Sequence, residues 1–323
     1  MEEILNSIKN YSYVYNINDK IYWNDKDFVL EAVKNHGCNL RYASEELKND
    51  KEVVLESVRF VGYNLKYASK DLQNDKQIVL EAVKNYGCAL KYTSEELKKD
   101  KEIVLNAVKQ TPLALKDVSK DLQNDKEVVL EAIKEYGFII EYASNNIQND
   151  KEVVMRAVRK DGCSLRFASK ELQNDKEIVF EAVRKDGYSL GFSSKELRNN
   201  EEIVLVAVKN DGLSLRYASK NLKNNKNIVL PAVQNNGCSL RDASEELKND
   251  KEIVFEAVKN NGLSLQYASQ IYQSDKNLIM RALKNIYFVD YNKFKLNNLK
   301  FDYNLLFSKN FFKKYFWKIL EFY

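Results

Sequence analysis

The chain has 323 residues, and its apolar residues, 44% of the total, are spread evenly with no linker rich in proline, glycine or serine, so the composition favours one continuous body over separate domains. The 51 basic and 47 acidic side chains leave a net charge of +4, which is too small to indicate nucleic-acid binding by itself. No apolar run approaches the roughly 18 residues of a membrane span, and the acidic start MEEILNSIKNYSYVYN does not resemble a signal peptide. A cytoplasmic location is therefore expected.

Residues 1–24 are predicted to be a degenerate copy of the 25-residue repeat that follows them. Leu5 and Ile8 lie one repeat length before Leu30 and Val33, so the apolar pattern of the repeat is already in register. Terminal repeats of a stacked array usually deviate because they cover its core. The segment is therefore an N-terminal capping repeat.

Ten rows of equal length follow without insertion, beginning at Asp25, and positions are numbered 1 to 25 within each row. An Asp-Lys pair opens every row except rows eight and nine, which begin Asn200-Glu201 and Asn225-Lys226. Apolar residues at positions 4, 5, 8 and 9 predict an amphipathic helix, helix A. The Asn-Asp pair at its start supplies a side-chain oxygen to cap the helix.

Glycine at position 13 is predicted to end helix A. Nine of the ten glycines stand there, and only Gly191 stands elsewhere. Because glycine adopts the left-handed conformation at little cost, a left-handed C-cap is expected at this position.

The second half of each row is predicted to form a shorter helix B. Leu165, Ala168 and Leu172 show the spacing of one helix face. The serine at position 20 occurs in all ten rows, from Ser44 to Ser269. It either caps a very short helix or is a small contact residue inside a longer one, and the cap is favoured.

Rows four and nine depart from the pattern. Row four has Pro112 in place of the glycine and Asp117 at an aromatic position, and row nine has Pro231 inside helix A and Asp242 at the aromatic position. Pro231 is predicted to kink or shorten its helix. These rows either change the curvature of the array, mark the footprint of a partner, or reflect drift.

A last helix A begins at residue 275, and the pattern dissolves after residue 285. Residues 286–323 are predicted to form a C-terminal capping segment, with an aromatic-rich helix at 308–323. The alternative role of that helix is contact with a membrane surface.

The two short helices of a single row cannot bury both apolar faces alone, so successive rows must stack. The sequence thus predicts an all-α fold, an α-solenoid of about eleven two-helix repeats with capping ends, whose tandem repeats span residues 25–285.

Neither the cysteines nor the histidine form a pattern typical of catalysis or metal binding. Cys38, Cys88, Cys163 and Cys238 all stand at position 14, whole repeats apart and too distant for disulfides, and are predicted to be small buried apolar residues. His36, the only histidine, has no evident partner for general-base work. Motifs for phosphate loops, nucleophile elbows and zinc are absent from the sequence, so we expect no enzyme, cofactor, metal or small-molecule substrate.

A ladder of basic and aromatic side chains is the candidate interaction surface. Basic residues recur at positions 10 and 17, and tyrosines at position 18. In rows one to four its members are Lys34, Arg41, Tyr42, Arg59, Lys66, Tyr67, Lys84, Lys91, Tyr92, Lys109 and Lys116. Such a stripe suits phosphates flanked by stacked rings.

Glutamates at position 7 weaken the case for a polyanion. Glu56 lies three residues before Arg59, and Glu81 three before Lys84, where i,i+3 pairs form on one helix face. A solvated face with packing tyrosines is the plainer interpretation, and the binding alternatives are an acidic protein or a nucleic acid.

The row L-x-Y-A-S-x-E-L-x-N-D-K-E-V-V-L-E-A-V-K-x-x-G, with its core YASEELKNDKEVVLESV at 42–58, resembles the repeat of the domain of unknown function DUF4116, a family of giant DNA viruses, protists and some bacteria. The resemblance covers about residues 25–285. It implies a helical repeat and, by analogy, an interaction role, but no activity. The expected function is a non-catalytic scaffold for a macromolecule, with a protein partner favoured over nucleic acid and over a purely structural spacer or virion component.

Overall fold

The computed structural model describes residues 21–288, and every regular element in this range is a helix. The all-α repeat architecture is therefore confirmed. Most of the predicted capping segments, residues 1–20 and 289–323 with the helix at 308–323, lie outside the described residues.

Helix A forms in each of the ten rows and once more after them, and the eleven copies are numbered α1 to α11 in chain order. They are Lys26–Asn35, Lys51–Phe60, Lys76–Asn85, Lys101–Gln110, Lys126–Ala132, Lys151–Lys160, Lys176–Lys185, Glu201–Asn210, Lys226–Asn235, Lys251–Asn260 and Lys276–Phe288. The valines and alanines at positions 4, 5, 8 and 9 are buried, as the amphipathic pattern predicts.

The second half of each row is helical in two pieces. A 3₁₀-helix covers positions 13–18: Gly37–Tyr42, Gly62–Tyr67, Gly87–Tyr92, Pro112–Asp117, Gly137–Tyr142, Gly162–Phe167, Gly187–Phe192, Gly212–Tyr217, Gly237–Asp242 and Gly262–Tyr267. A single helical turn follows: Glu45–Lys48, Leu72–Asn74, Leu97–Lys99, Lys120–Gln123, Asn145–Gln148, Leu172–Asn174, Leu197–Asn199, Leu222–Asn224, Leu247–Asn249 and Gln270–Gln273. Another 3₁₀ turn, Tyr22–Asn24, precedes α1.

The serine at position 20 caps that short turn and also joins two rows. The Ser69 hydroxyl accepts from the Leu72 N–H at 3.3 Å and donates to Oδ1 of Asn49 in the preceding row at 2.5 Å. The same pair of bonds recurs at Ser94, Ser144 and Ser219. The capping alternative is thus confirmed in these rows.

The described chain divides into two compact units, with the boundary between Leu172 and Gln173. Within each unit, helix A of one row packs against helix A of the next, and the 3₁₀-helices stack in the same order. Each unit is therefore a stretch of solenoid in which a row buries its apolar face against its neighbours.

The glycine at position 13 recurs because adjacent rows approach closely there, not because it adopts a left-handed conformation. No glycine in the described range has a positive φ, so the predicted left-handed cap is wrong. Helix A instead ends at an extended residue at position 12, and the glycine begins the 3₁₀-helix. A Cβ on Gly212 would lie 2.4 Å from the carbonyl oxygen of Ala232 in the next row. Backbones of adjacent rows touch here, and a side chain does not fit unless one of them shifts.

Row four shows the fold at a position 13 without glycine. Pro112 stands there, and the facing helix α5 of the next row ends at Ala132, three positions earlier than the helices beside it. The helix that faces the bulkier residue is thus the short one, which agrees with the close approach of the two backbones.

Pro231 does not shorten its helix. The helix α9 runs over the same ten residues as its neighbours, so that part of the prediction is wrong. The proline removes only one amide donor, and its neighbours α8 and α10 pack against both sides of the helix.

The Asp-Lys pair at the start of each row is an inter-row device that the sequence pattern did not reveal. Oδ1 of Asp50 caps its own helix by accepting from Glu52 N and Val53 N, while Oδ2 lies 2.8 Å from Lys26 Nζ of the preceding row. Equivalent Lys–Asp bridges between adjacent rows join Lys51–Asp75, Lys76–Asp100, Lys101–Asp125, Lys126–Asp150 and Lys226–Asp250. One carboxylate thus caps a helix and ties two rows together.

Rows eight and nine reverse the direction of this contact. Glu201 stands where other rows have lysine, and Asn225 stands where they have aspartate. Nδ2 of Asn225 donates a hydrogen bond to Oε1 of Glu201 at 3.3 Å. An aspartate there would place two carboxylates together, so the two deviations compensate each other.

A second inter-row bond comes from the amide at position 11. Oδ1 of Asn235 accepts from the Gly212 N–H at 2.8 Å, and its Nδ2 donates to the Lys209 carbonyl at 3.0 Å. The asparagine therefore provides hydrogen-bond partners for a carbonyl in the last turn of the preceding helix A and for the N–H of the glycine that follows that helix. Pro112 has no N–H to donate, and the next row has Glu135 in place of the amide.

We expect Gly212→Ala to lower the free energy of unfolding by about 1–3 kcal/mol, because the added methyl group overpacks a backbone contact. Gly191→Ala is the matched control, since its Cβ would first meet the ring of Tyr217, which can move. Urea unfolding measures both. Gly212→Asn separates the two explanations: a left-handed cap tolerates asparagine, whereas close approach does not, so an undamaged Gly212→Asn protein contradicts the packing account.

Lys99→Asn should stabilise the protein by about 1 kcal/mol. Lys99 replaces the asparagine at position 25 of row three, and the buried hydroxyl of Ser119 has no hydrogen-bond partner among the described residues. The asparagine restores the acceptor that the other rows provide. A raised urea midpoint at constant slope is expected, and an equal gain in Lys99→Ala shows that loss of the lysine, not the new bond, is responsible.

The Lys76–Asp100 bridge predicts a stability difference that depends on pH. Although partial burial opposes it, bonds from Lys76 and the Ile103 N–H lower the pKa of Asp100 below 3.8, and bonds to Asp100 and Glu102 raise the pKa of Lys76 from 10.5 to about 12. The contribution of the aspartate is present above pH 3.8 and is lost as pH falls below it; that of the lysine is present below pH 10.5 and is lost as pH rises towards 12.

Lys76→Ala should therefore unfold more easily than the parent protein at neutral pH, with the difference shrinking at both extremes. Urea titrations across pH measure this difference. Lys195→Ala, at an exposed lysine in row seven, is the control. A Lys76→Ala difference that stays constant below pH 3.8 contradicts the role of the bridge.

Candidate functional site

The basic residues at position 10 lie exposed at the ends of helices α1 to α4, and glutamates neutralise two of them, Arg59 and Lys84. The Arg59 guanidinium lies 3.0 Å from Glu56 on its own helix and 3.8 Å from Glu81 of the next row, and Lys84 lies 3.7 Å from Glu81. The remaining candidates, Lys34 and Lys109, are exposed at the same position. This stripe therefore presents little net positive charge at the rows with these pairs.

The residues at positions 17 and 18 form a different surface on the 3₁₀-helices. Arg41, Lys91 and Lys116 are exposed and Lys66 is half-buried, while the rings of Tyr42, Tyr67 and Tyr92 are half-buried beside them. The Arg41 guanidinium lies 4.9 Å from the centroid of the Tyr42 ring, and Lys66 Nζ lies 4.6 Å from that of Tyr67. Cations of this ladder rest on their own aromatic neighbours.

Rows two and three form an open groove of about 540 Å³ at this surface. It brings together four predicted residues, Lys66, Tyr67, Lys91 and Tyr92. The rest of its lining is Lys70, Gln73, Thr93, Glu95 and Lys98. The position-10 residues and Arg41, Tyr42 and Lys116 are not part of this lining.

Positive charge in the groove is only partly neutralised. Lys98 Nζ lies 2.6 Å from Glu95, but Lys66 donates to the neutral Tyr63 hydroxyl at 2.6 Å and Lys70 to the neutral Gln73 amide oxygen at 3.0 Å. Three lysines of the lining, counting the exposed Lys91, thus keep their positive charge available to a ligand, unlike Arg59 and Lys84 at position 10.

Tyrosine rings border the groove on one side. The Tyr63 ring lies 5.5 Å from Tyr92 and 6.1 Å from Tyr86, both edge to face. Burial and a hydrogen bond with Tyr63 raise the pKa of Tyr92 to about 12, and the hydrogen bond to Tyr63 raises the pKa of Lys66. At neutral pH the Tyr92 ring is therefore uncharged and Lys66 is a cation, while hydrogen bonds with Lys66 and Tyr92 lower the pKa of Tyr63.

The sequence pattern missed half of this site. Lys70 and Lys98 stand at positions 21 and 24, and Tyr63 and Tyr86 at positions 14 and 12, outside the three positions of the predicted ladder. In the sequence, these residues are distinguished only by occurring together in rows two and three. That combination can be recognised as a site only when positions 12, 14, 17, 18, 21 and 24 are known to lie on one surface.

The cysteines do not occupy the core. Cys38 is exposed and Cys88, Cys163 and Cys238 are half-buried, so the prediction of buried apolar substitutes is wrong. The buried residue is the next one, at position 15, because the 3₁₀-helix turns that side chain towards helix A. For example, Nδ2 of Asn39 donates to the Ala32 carbonyl at 2.8 Å.

Within residues 21–288, no three or more His, Cys, Asp and Glu side chains are grouped so as to hold a metal ion. No helix of that range has the length and apolar content to cross a bilayer.

Stacked helical rows, tied by repeated backbone and side-chain bonds, define an all-α repeat protein of the solenoid type. The sequence profile of the family described as Domain of unknown function (DUF4116) matches residues 2–48, 25–73, 50–98, 75–123, 100–148, 125–173, 150–198, 200–248 and 250–292. The chain belongs to this family, as the resemblance of its rows predicts. No curated protein is similar enough to the chain to count as a match.

Proposed function

We propose that this repeat protein is a non-catalytic scaffold that binds another protein through the surface of positions 17 and 18 in rows one to four. The repeat architecture supports a scaffold, since stacked rows offer an extended surface on which each row contributes equivalent side chains. The absence of catalysis is part of the proposal, and the family brings no activity that contradicts it.

The single observation that carries the proposal is that the cations at position 17 of rows one and two lie over aromatic rings. Arg41 lies over Tyr42, and Lys66 lies between the rings of Tyr63 and Tyr67. Tyrosine and arginine are enriched in protein interfaces, because they combine a large apolar area with polar ends.

The same geometry favours a protein over a nucleic acid. Stacking of bases needs free ring faces, and here rings are half-buried and their own cations cover them. Glutamates also neutralise Arg59 and Lys84 of the ladder, which weakens the positive field that a phosphate backbone would meet.

Charge reversal at Arg41→Glu, Lys66→Glu and Lys91→Glu should abolish capture of the partner from lysate of the native cell. Stability should change little, by about 0.5 kcal/mol per exposed site. The comparison variant carries Arg166→Glu, Arg216→Glu and Arg241→Glu at the same position of later rows, where Arg166 and Arg216 also lie over aromatic rings. It should retain the partner, which would place the partner on rows one to four rather than on every row with such a contact.

Quantitative mass spectrometry of the captured proteins, with and without nuclease, gives the readout. An unchanged set of captured proteins in the triple variant contradicts the assignment of the surface. Loss of all captured material on nuclease treatment would show that nucleic acid is the ligand.

A further inference from the structure

The two halves of the chain differ at position 12, the residue between helix A and the 3₁₀-helix. In rows six to ten it is aspartate or asparagine, and its side chain caps the 3₁₀-helix: Asp161 accepts from Cys163 N at 3.0 Å, and Asn236 from Cys238 N at 3.0 Å. In rows one to five the position holds His36, Val61, Tyr86, Thr111 and Tyr136, and none of these forms that cap.

Rows two, three and five expose aromatic side chains along the edge that lacks the caps. Tyr86 is 38% exposed and Tyr136 57%, and at neighbouring positions Phe60, Tyr63 and Phe138 are also exposed. Each missing cap removes a stabilising bond, and an exposed ring regains little of that stability by burial. Exposed aromatic patches of this kind are typical of binding surfaces.

Tyr63 connects this edge to the basic groove. Its ring contacts Tyr86 on the edge and Tyr92 in the groove, and Lys66 Nζ lies 4.2 Å from its centroid. The rings of Tyr63 and Tyr86, here called the Tyr63–Tyr86 ledge, and the lysines of the groove therefore form one continuous surface in rows two and three.

Other rows have one part of this surface without the other. Row six repeats the basic–aromatic–basic set as Arg166, Phe167 and Lys170, but has Asp161 at the edge. Row five has Tyr136 at the edge, but Glu141 in place of the basic residue at position 17.

From this juxtaposition we infer that the groove and the Tyr63–Tyr86 ledge bind one extended segment of the partner protein, in which acidic residues stand beside a large apolar side chain. The inference rests on the proposed function and adds the chemistry of the partner. Carboxylates of the segment meet Lys66, Lys70 and Lys91, and its apolar side chain packs on the rings of Tyr63 and Tyr86. A groove of about 540 Å³ takes a few side chains rather than a folded domain.

The test selects binders from a random 12-residue peptide library displayed on phage, with the full chain as bait. Selected peptides should be enriched in Asp and Glu next to Phe, Tyr, Trp, Leu or Ile. Affinities of the synthetic consensus peptide are then measured by fluorescence anisotropy. Lys66→Glu with Lys91→Glu should abolish binding, and Tyr86→Asn should weaken it at least about fivefold.

The asparagine variant is chosen because rows nine and ten carry that residue at position 12, where it caps the 3₁₀-helix. It should fold at least as stably as the parent protein, so weaker binding reports the lost ring. Tyr136→Asn, the same change in row five, is the matched control and should leave the affinity unchanged.

Selection of peptides without acidic enrichment, or equal affinity of Tyr86→Asn and the parent protein, overturns the inference. So does displacement of the consensus peptide by a single-stranded 12-nucleotide DNA that binds more tightly. If partner capture still depends on Lys66 and Lys91 in these cases, the scaffold proposal stands and only the chemistry of the segment is wrong.

Discussion

Close contact between the backbones of adjacent rows is the constraint on which the rest of this structure depends. A single row has too little apolar surface to fold alone, so it must bury its helix against the next row. The glycine at position 13 allows this by lying against the carbonyl of position 8 in the following row, as Gly212 does against Ala232. A side chain there pushes on the facing backbone, and opposite Pro112 the helix of the next row is the shorter one. Nine of the ten glycines are consequently fixed at one position.

Polar contacts fix the alignment of adjacent rows, which apolar contacts alone do not determine. Valine and alanine surfaces can slide past one another, whereas an Asp that caps one helix and binds a lysine of the preceding row can do so in one alignment only. The amide at position 11 and the serine at position 20 add two further bonds between rows. This explains why the ten rows contain no insertion: one extra residue would break all three kinds of bond at once.

The irregular rows are informative because some deviations are compensated and others are not. Asn225 accompanies Glu201, and the two exchange the donor and acceptor roles of the contact between their rows. Glu135 accompanies Pro112, so the N–H donor and the amide that would accept from it are both absent. Lys99 has no such counterpart and leaves the Ser119 hydroxyl without a partner within residues 21–288. The aromatic residues at position 12 of rows three and five likewise replace a cap, and their rings remain exposed. Residues that replace a structural bond without compensation, and that lie together on one exposed surface, are therefore best interpreted as binding residues.

The sequence by itself determined the repeat, its length, helix A and membership of a helical repeat family, and it favoured the serine cap, because these depend on local periodicity and on chemistry within a few residues. It also determined which side chains could form a basic and aromatic ladder. Only the tertiary structure decided that position 13 is glycine for close approach, that position 14 is exposed, and that Asp and Lys pair across rows. It also decided that Lys66, Lys91 and Tyr92 share a groove with Lys70, next to Tyr63 and Tyr86. The physical reason is that these contacts join residues about one repeat apart in the chain, and their geometry is set by how two rows stack, which no pattern within a single row specifies.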